Sequence, residues 1–186
     1  KHNAINALAA AGTAWMLGVP GDVTARGLAT FHGAGRRMEY KGKFNGADIY
    51  DDYAHHPQEL AVTIESVRRL YHDRYVIGVF QPHLYSRTQD FANDFAQVLD
   101  RLDEVALLPI YPARELPIPG VTSEWLLEKM QVKRALVLPA ILPKYLRERL
   151  KSCLAADKKV VVITMGAGDI ERQVNEITHK LTYKIL

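Results

Sequence analysis

Apolar residues recur along this chain with two different spacings. One pattern is a continuous apolar run of strand length, as in YVIGVF at 75–80 and KVVVITM at 159–165. Between such runs lie segments in which an apolar residue recurs every three or four positions. The first spacing predicts strands buried on both faces, and the second predicts amphipathic helices. This alternation indicates an α/β fold with a mostly parallel sheet and helices on both faces. Right-handed crossovers then place the carboxyl ends of several strands along one edge.

The predicted elements follow one another without internal repeats. The predicted helices cover 3–18, 22–31, 57–70, 87–102, 122–130, 141–156 and 169–185. The predicted strands cover 36–44, 47–53, 75–80, 104–110, 135–139 and 159–165. Asp22 is the expected cap of the second helix. The dipeptide Asn45-Gly46 predicts a hairpin turn between the first two strands, and HGAG at 32–35 is the predicted linker.

The composition narrows the class of protein. With 186 residues, 48% of them hydrophobic and 24% charged, the chain can bury a substantial core, and nothing suggests disorder. The net charge of +3 is scattered over short basic pairs, which argues against a dedicated nucleic-acid surface. Cys153 is the one cysteine, which excludes an internal disulfide and fits a reducing, cytoplasmic compartment. No apolar run approaches the length of a membrane span, and no signal peptide is visible.

Titratable side chains are concentrated in two segments next to predicted strands. DDYAHHP covers 51–57, at the end of one strand, and QPHLYSRT at 81–88 follows the strand 75–80. If those strands are neighbours, their polar side chains approach one another at the ligand-binding edge. The side chains expected to converge are Asp51, Asp52, His55, His56, His83 and Arg87. Such a set can hold an anionic substrate; the alternative is a polar network that secures the loops and caps a helix.

Aspartate and histidine together also permit the metal site of a hydrolase, for zinc, manganese or iron. No helical H-x-x-x-H pair supports such a site, and the adjacent His55 and His56 point apart in an extended segment. The metal-dependent hydrolase therefore stays an alternative, and no residue is assigned as a metal ligand.

Three shorter motifs have both a nucleotide-binding and a structural interpretation. Arg36 and Arg37 form either a phosphate clamp at a domain joint or a solvated strand start. MGAGD lacks the full G-x-G-x-x-G pattern, so a tight turn with Asp169 as helix cap is favoured over a phosphate cradle. Asn3 and Asn6 share a helix face and either cap it or bind an adenine edge. The chain contains no G-x-x-x-x-G-K-[ST] sequence, so it has no evident triphosphate cradle of its own.

Six segments, taken in order, resemble the Mur ligases, the amide-forming enzymes of bacterial peptidoglycan synthesis. They are KHNAINALAA, HGAGRRMEY, IYDDYAHHPQEL, VFQPHLYSRTQDFANDF, IYPARELPIPGVTS and MGAGDI. They cover almost the whole chain, and the pair DDYAHHP with QPHLYSRT is specific. The branch that joins L-alanine to UDP-N-acetylmuramate fits these segments, and the branch that recycles a tripeptide is a close alternative.

The resemblance implies a position in a three-domain protein. In this family the first domain binds the UDP-sugar, the second carries the ATPase, and the third is Rossmann-like and binds the incoming amino acid. Residues 1–34 are similar to the tail of the central domain, and residues 35–186 to the whole third domain. The chain begins in a helical pattern without an initiator methionine, and we interpret it as a piece of a longer protein.

The resemblance also implies a chemistry. ATP phosphorylates the lactyl carboxylate of UDP-N-acetylmuramate, and the amine of L-alanine attacks the acyl phosphate to give an amide, ADP and phosphate. Magnesium acts on the phosphates, and its ligands belong mainly to domains outside this chain. Catalysis would depend on positioning and charge neutralisation once the domains close. The chain alone is therefore expected to be inactive.

On the nucleotide side, the resemblance implies roles for five residues. Asn3, and with it Asn6, would contact adenine. Arg37, assisted by Arg36, would reach the ATP phosphates. Asp52 would hold the ribose.

On the amino-acid side, the resemblance places four residues around L-alanine. Tyr53 and His55 would shape the pocket, and His83 and Arg87 would lie beside them, with Arg87 suited to the carboxylate. Many relatives have arginine where Leu84 stands, so no role is assigned to that position. The residues expected to act on the reacting groups are Arg37, His55, His83 and Arg87.

A stand-alone nucleotide-binding or amino-acid-binding module is the alternative without catalysis. It would require a natural start codon near the first residue. Selectivity among L-alanine, glycine and L-serine is left open, because a small pocket discriminates one methyl group by only about 1–3 kcal/mol.

Overall fold

The computed structural model describes residues 2–31 and 33–182, and the side chains of 4–31 and 33–178. The histidine of the predicted linker HGAG and the end of the last predicted helix, 183–185, lie outside the described residues. Across the part that is described, no helix is both long and apolar enough to cross a bilayer.

The first compact unit is Lys1–Ala34. Its described helices are α1, His2–Met16, and α2, Gly21–Ala29. Helix α2 begins after Pro20, so the expected cap at Asp22 is wrong by two positions. Asp22 lies in the first turn instead, where its carboxylate is 2.7 Å from the guanidinium of Arg26 on an exposed face. A carboxylate in that turn interacts favourably with the helix dipole without capping the helix.

The second compact unit, Gly35–Leu186, contains a sheet that has six strands among the described residues. The strands are β1, Glu39–Phe44; β2, Ala47–Asp52; β3, Tyr75–Phe80; β4, Glu104–Leu107; β5, Lys133–Leu136; and β6, Val160–Met165. The helices are α3, Pro57–Leu70; α4, Tyr85–Asp90; α5, Ala92–Leu99; α6, Ser123–Glu128; α7, Leu142–Ala155; and α8, Ile170–Thr182. Strand β1 is antiparallel to β2, and the other pairs are parallel. The predicted mostly parallel α/β sheet is confirmed.

Both faces of this sheet are covered by helices. Leu60 of α3 and Phe95 of α5 belong to a buried cluster on one face. Leu146 of α7 and Ile177 of α8 belong to a second cluster on the other. Successive residues of β6 alternate between the two clusters, because strand side chains point to opposite faces in turn. This double burial explains the continuous apolar runs in the sequence.

The strand order across the sheet is β1-β2-β6-β3-β4-β5. The last strand, β6, therefore lies between β2 and β3, so the condition that β2 and β3 are neighbours is not met. Asp51 of β2 is in register with Thr164 of β6, and Phe80 of β3 is in register with Met165. The carboxyl ends of β2, β6 and β3 thus stand side by side.

The hairpin between β1 and β2 turns at Asn45-Gly46, as predicted. Both residues have positive φ, 44° and 79°, which suits the right-handed twist of a hairpin. The first strand begins at Glu39 and not at residue 36. Arg36 and Met38 have φ of 56° and 49°, and a left-handed backbone cannot continue a strand.

The predicted helix 87–102 is divided in two. Helices α4 and α5 meet at Phe91, whose φ of −114° and ψ of 19° depart from helical values. The ring of Phe91 packs 4.7 Å from that of His56. Strand β4 also ends earlier than expected, at Leu107, two residues before Pro109, which has no amide proton for the ladder.

A buried ionic network joins β4 to α7. The carboxylate of Glu104 has 1% side-chain exposure and accepts hydrogen bonds from Arg149 at 2.6 and 2.8 Å. The hydroxyl of Tyr145 donates to it at 2.9 Å, and the ammonium of Lys133 lies 3.2 Å away. Burial alone would raise the pKa of Glu104, but the donors of Arg149 and Tyr145 outweigh it and lower that pKa below 4.5.

Candidate functional site

Four rings form a row across the carboxyl ends of the central strands. The rings of Tyr53 and His55, after β2, have centroids 5.1 Å apart. His55 is followed by His83, which comes after β3, at 6.0 Å. His83 in turn stacks on Tyr111, which follows β4, at 5.6 Å and an interplanar angle of 19°. The loops DDYAHHP and QPHLYSRT therefore meet over the end of β6, and the structure brings Tyr53, His55 and His83 together.

His55 is held at the entrance to α3. Its Nδ1 lies 2.9 Å from the carbonyl oxygen of Tyr53 and 3.3 Å from the carboxylate of Glu59. Glu59 also accepts the backbone N–H groups of His55 and His56. Burial alone would raise the pKa of Glu59, but these backbone donors lower it, so the carboxylate is ionised beside the imidazole.

The described contacts of His56 lie outside the row of rings. It is the N-cap residue of α3, where its Nδ1 accepts a 3.4 Å hydrogen bond from the backbone N–H of Gln58. Its ring contacts Phe91 at 4.7 Å. The expected convergence of His56 with the other site residues is therefore wrong, because its ring closes the start of a helix.

His83, the third ring of the row, and Arg87 carry unsatisfied polar atoms. Among the described residues, the Nδ1 atom of His83 and one terminal nitrogen of Arg87 are buried and have no hydrogen-bond partner. Burial lowers the pKa of His83, and the charges of Arg87 and His55 lower it further, so His83 is neutral near pH 7. A buried guanidinium edge beside a neutral imidazole is suited to a carboxylate ligand.

Leu84 lies between these two residues in a strained conformation. Its φ of 72° and ψ of 136° put a non-glycine residue outside the favoured regions at the start of α4. The backbone N–H of Leu84 donates to the carbonyl oxygen of Tyr111 at 2.9 Å, and Thr88 bonds back to the carbonyl of Leu84. Surrounding hydrogen bonds hold the strained turn in place.

The two aspartates of DDYAHHP bond inside the fold. Asp51 has a fully buried side chain that accepts from Arg36 Nε at 2.9 Å and from Thr164 Oγ1 at 2.7 Å. It does not join the imidazoles, so the expected convergence is wrong for Asp51 as well. A buried carboxylate with two such partners is structural.

Asp52 is also buried, with 5% exposure. Its carboxylate accepts from the backbone N–H groups of Met38 and Ala54, both at 2.8 Å, and from the hydroxyl of Thr63 at 3.2 Å. Its expected convergence with the imidazoles is wrong for the same reason. Within the described residues, no group of three or more metal-ligating side chains stands together. The carboxylates that a metal site would need here are occupied by protein donors.

Arg36 and Arg37, treated as a pair in the sequence, separate in the structure. The Arg36 side chain is 12% exposed and donates to Asp51 and, at 2.6 Å, to the carbonyl oxygen of Gly166. The Arg37 side chain is exposed and lies over the ring of Tyr53, with its guanidinium carbon 5.7 Å from the ring centroid. Arg36 is thus part of the fold, and Arg37 is the arginine available to a ligand.

The MGAGD turn is filled by protein atoms. A Cβ on Gly168 would lie 2.5 Å from the side-chain oxygen of Gln81 and 2.7 Å from Cγ of Tyr111. The amide of Gln81 donates to Asp169 at 2.6 Å, and its oxygen accepts the first backbone N–H of α8, that of Ile170, at 3.0 Å. This supports the tight-turn interpretation. Asp169 directly precedes α8, and its carbonyl oxygen accepts the N–H of Arg172 at 3.0 Å, while Gln81 supplies the side-chain acceptor for Ile170.

The adenine contacts predicted in the first unit are only partly described. Asn6 lies exposed on α1, and the side chain of Asn3 lies outside the described residues. Four further residues contact the predicted site residues or the turn beside them without having been predicted from the sequence: Gln81, Ser86, Tyr111 and Glu115. The sequence feature that points to them is their position: QP follows β3 and YPARE follows β4, and both strands end at the same edge of the sheet.

A shallow depression of about 510 Å³ lies at the opposite edge of the sheet. Charged residues line it, including Arg68 in the last turn of α3, Arg74 just before β3 and Lys159 just before β6. Each of these three cations pairs with a neighbouring aspartate. None of the predicted site residues is part of its lining, so its size alone does not identify a functional site.

The chain is similar to known proteins in sequence and in fold. The family described as Mur ligase, glutamate ligase domain, matches residues 36–168. The UDP-N-acetylmuramate–L-alanine ligase of Flavobacterium johnsoniae is 43% identical over 185 residues, which are 100% of this chain and 40% of the relative. That of Lawsonia intracellularis is 49% identical over 131 residues, 70% of this chain and 29% of the relative. The chain thus spans about two fifths, or less, of the length of these curated relatives.

Solved structures agree on the fold. The crystal structure of UDP-N-acetylmuramate-alanine ligase from Thermotoga maritima superposes with a TM-score of 0.72 at 22% identity, covering 97% of this chain and 38% of that one. A murein peptide ligase from Psychrobacter arcticus gives 0.65 at 21% identity, covering 100% of this chain and 38% of that one. At such identity the likeness concerns the fold alone.

Proposed function

This chain belongs to the Mur ligase family, and from that premise we propose that it is the carboxyl-terminal part of an ATP-dependent ligase that joins L-alanine to UDP-N-acetylmuramate. Relatives that carry this name align with 70% or more of the chain, and the 44% identical ligase of Parabacteroides distasonis aligns over 100% of it. The proposed place of action is the bacterial cytoplasm, where UDP-linked precursors and ATP are available.

The observation that carries the proposal is the unsatisfied pair His83 and Arg87, of which His83 is the third ring of the row. The guanidinium of Arg87 would hold the carboxylate of a small amino acid. Tyr53 and His55 would bound the pocket on the side of β2. An amine attacks a carbonyl only when it is neutral, and the buried Nδ1 of His83 would accept a hydrogen bond from that amine.

The nucleotide would meet this unit at the side of Tyr53. Arg37 is exposed there and would contact the ATP phosphates, while Asn3 and Asn6 of the first unit would contact adenine. Asp52 already accepts three hydrogen bonds, and a carboxylate offers about four acceptor positions. A ribose hydroxyl could therefore add one bond to Asp52 without displacing a protein donor.

Magnesium, which neutralises phosphate charge in such reactions, would be held mainly by domains outside this chain. We also assign residues 1–34 to the end of the central ATPase domain and residues 35–186 to the domain that binds the amino acid. The second unit would supply the bound amino acid, and the acyl phosphate would be formed by the ATPase domain. The 186-residue chain alone would then form no amide.

The decisive experiment begins with the coding DNA upstream of Lys1. We expect an open frame of about two further domains with a P-loop. The complete protein should turn over ATP continuously to ADP and phosphate only when UDP-N-acetylmuramate and L-alanine are both present. Glycine, L-serine and the tripeptide serve as competing amine substrates.

Three results would each overturn part of the proposal. A start codon directly before Lys1 would remove the ATPase domain. Preference for the tripeptide would assign the recycling branch of the family. Amide formation by the 186-residue chain alone would contradict its expected inactivity.

A further inference from the structure

The segment Tyr111–Glu115, YPARE, borders the ring row on the side of β4. Tyr111 forms a parallel bridge with His83. Its backbone N–H donates to the carbonyl of Pro82 at 2.8 Å, and its own carbonyl accepts from Leu84 at 2.9 Å. Backbone hydrogen bonds and the ring stack on His83 therefore attach one end of YPARE to the site.

The other end of YPARE is attached through a carboxylate. Glu115 accepts the backbone N–H of Ser86 at 3.0 Å, and the Ser86 hydroxyl donates to its second oxygen. These hydrogen bonds from Ser86 lower the pKa of Glu115, so the carboxylate is ionised. Ser86 is in the first turn of α4 and directly precedes Arg87. Glu115 thus bonds to the residue next to the proposed carboxylate-binding arginine.

A residue with a strained backbone precedes each partner of the Ser86–Glu115 contact by two positions. Leu84 and Ala113 have positive φ, 72° and 51°, although neither is glycine. Strained residues persist only where the surroundings over-determine them. Here the surrounding contacts are the Tyr111 bridge on one side and the Glu115–Ser86 bonds on the other. Glu115 is also the carboxylate whose charge acts on both Arg87 and His83.

We propose that Glu115 is a positioning residue that fixes the first turn of α4, and with it Arg87, for the carboxylate of the amino-acid substrate. The assignment rests on the proposed function of the same site. Glu115 does not contact the substrate in this scheme. It acts through Ser86 on Arg87 and through its charge on His83.

The kinetic test uses the complete ligase with Glu115→Ala and Glu115→Gln. We expect Glu115→Ala to raise KM for L-alanine roughly tenfold, the size of one lost charge-assisted hydrogen bond, with KM for ATP unchanged. Glu115→Gln should show a smaller effect, because its amide oxygen still accepts from Ser86. The matched control is Glu148→Gln, since Glu148 is exposed on α7 and pairs only with Lys144 among the described residues. A fall in kcat with both KM values unchanged would reduce Glu115 to a structural residue and overturn the proposal.

A second measurement does not depend on turnover. In the 186-residue chain, the NMR titration of His83 should move to lower pH in both Glu115 variants, since the charge of Glu115 raises the pKa of His83. The Arg87 side-chain resonances should shift in the same variants and stay unchanged in Glu148→Gln. An unchanged titration together with unchanged Arg87 resonances would overturn the positioning role. If the complete protein uses no L-alanine, the proposed function fails, and the Arg87 resonances still decide whether Glu115 positions Arg87.

Discussion

The imidazole rings of His55 and His83 lie 6.0 Å apart, although the strands that carry them, β2 and β3, are not neighbours. Strand β6 separates them, and the loops after β2 and β3 bend over its end. This is possible because the turn after β6 is compact, with Gly168 pressed against Gln81. The site therefore exists only once the last strand has entered the sheet.

Arg87→Lys should weaken the use of L-alanine by the complete ligase. Lysine keeps the charge but loses the planar fork that matches a carboxylate. We expect KM for L-alanine to rise about 10- to 100-fold, since each tenfold step corresponds to about 1.4 kcal/mol. Steady-state kinetics with varied L-alanine and saturating ATP measure this.

Arg69→Lys is the control for that substitution, because the Arg69 side chain is 76% exposed on α3. Its kinetics should match those of the parent. An unchanged KM for L-alanine in Arg87→Lys would remove Arg87 from the carboxylate site.

Arg36→Met and Arg37→Met should separate folding from catalysis. Loss of Arg36 leaves the buried carboxylate of Asp51 without its ion pair, which should cost about 3 kcal/mol in free energy of unfolding. Loss of the exposed Arg37 should change stability by less than about 0.5 kcal/mol. Urea unfolding of the 186-residue chain tests both values.

In the complete ligase, Arg37→Met should raise KM for ATP or lower kcat while the protein remains folded. The opposite pattern, in which Arg37→Met unfolds the chain and Arg36→Met leaves it stable, would contradict the division of roles between the two arginines.

Gly168→Ala should destabilise the turn that joins β6 to α8. The added Cβ would meet Gln81 and Tyr111 at 2.5 and 2.7 Å, distances that force both side chains to move. Overpacking of this kind costs about 1–3 kcal/mol. Gly35→Ala is the control in the same unit, since its Cβ would come no nearer than 3.8 Å to a neighbouring atom. Equal unfolding midpoints for the two variants would show that the turn has spare room.

Arg149→Met should reduce the loss of stability that the second unit shows when the pH falls from 7 to 3. Glu104 has a lowered pKa in the folded chain, so its contribution is present above 4.5, its ordinary value, and is lost as the pH falls through the lower folded value. Without Arg149, burial is opposed less and the pKa of Glu104 rises. At pH 7 the variant should lose about 3 kcal/mol relative to the parent, and at pH 3 the difference should shrink.

Urea unfolding of both proteins at the two pH values measures this difference. Lys144→Met is the control, because the Lys144 side chain is 77% exposed and its pair with Glu148 spans 4.0 Å. A difference that stays constant from pH 7 to pH 3 would mean that Glu104 does not depend on Arg149 for its ionisation.

The pattern of apolar residues determined the fold class and predicted the edge of the sheet at which the polar loops lie. Continuous runs such as 75–80 can be buried only between two helical layers, and parallel strands bring their carboxyl ends to one edge. The Asn45-Gly46 turn was equally local, because two adjacent residues that accept positive φ specify a hairpin. These features depend on the spacing of apolar residues and on intrinsic backbone preference, and both are properties of residues that are adjacent in the sequence.

The tertiary structure alone decided which polar residues face a ligand. Asp51 and Arg36 read as site residues in the sequence, but they bond to each other in the interior, at 2.9 Å. His56 turned toward a helix start, while Tyr111 and Glu115 joined the site from a loop after β4. Such partnerships arise between segments far apart in the chain, and burial selects them, because each polar atom taken from water must find a partner.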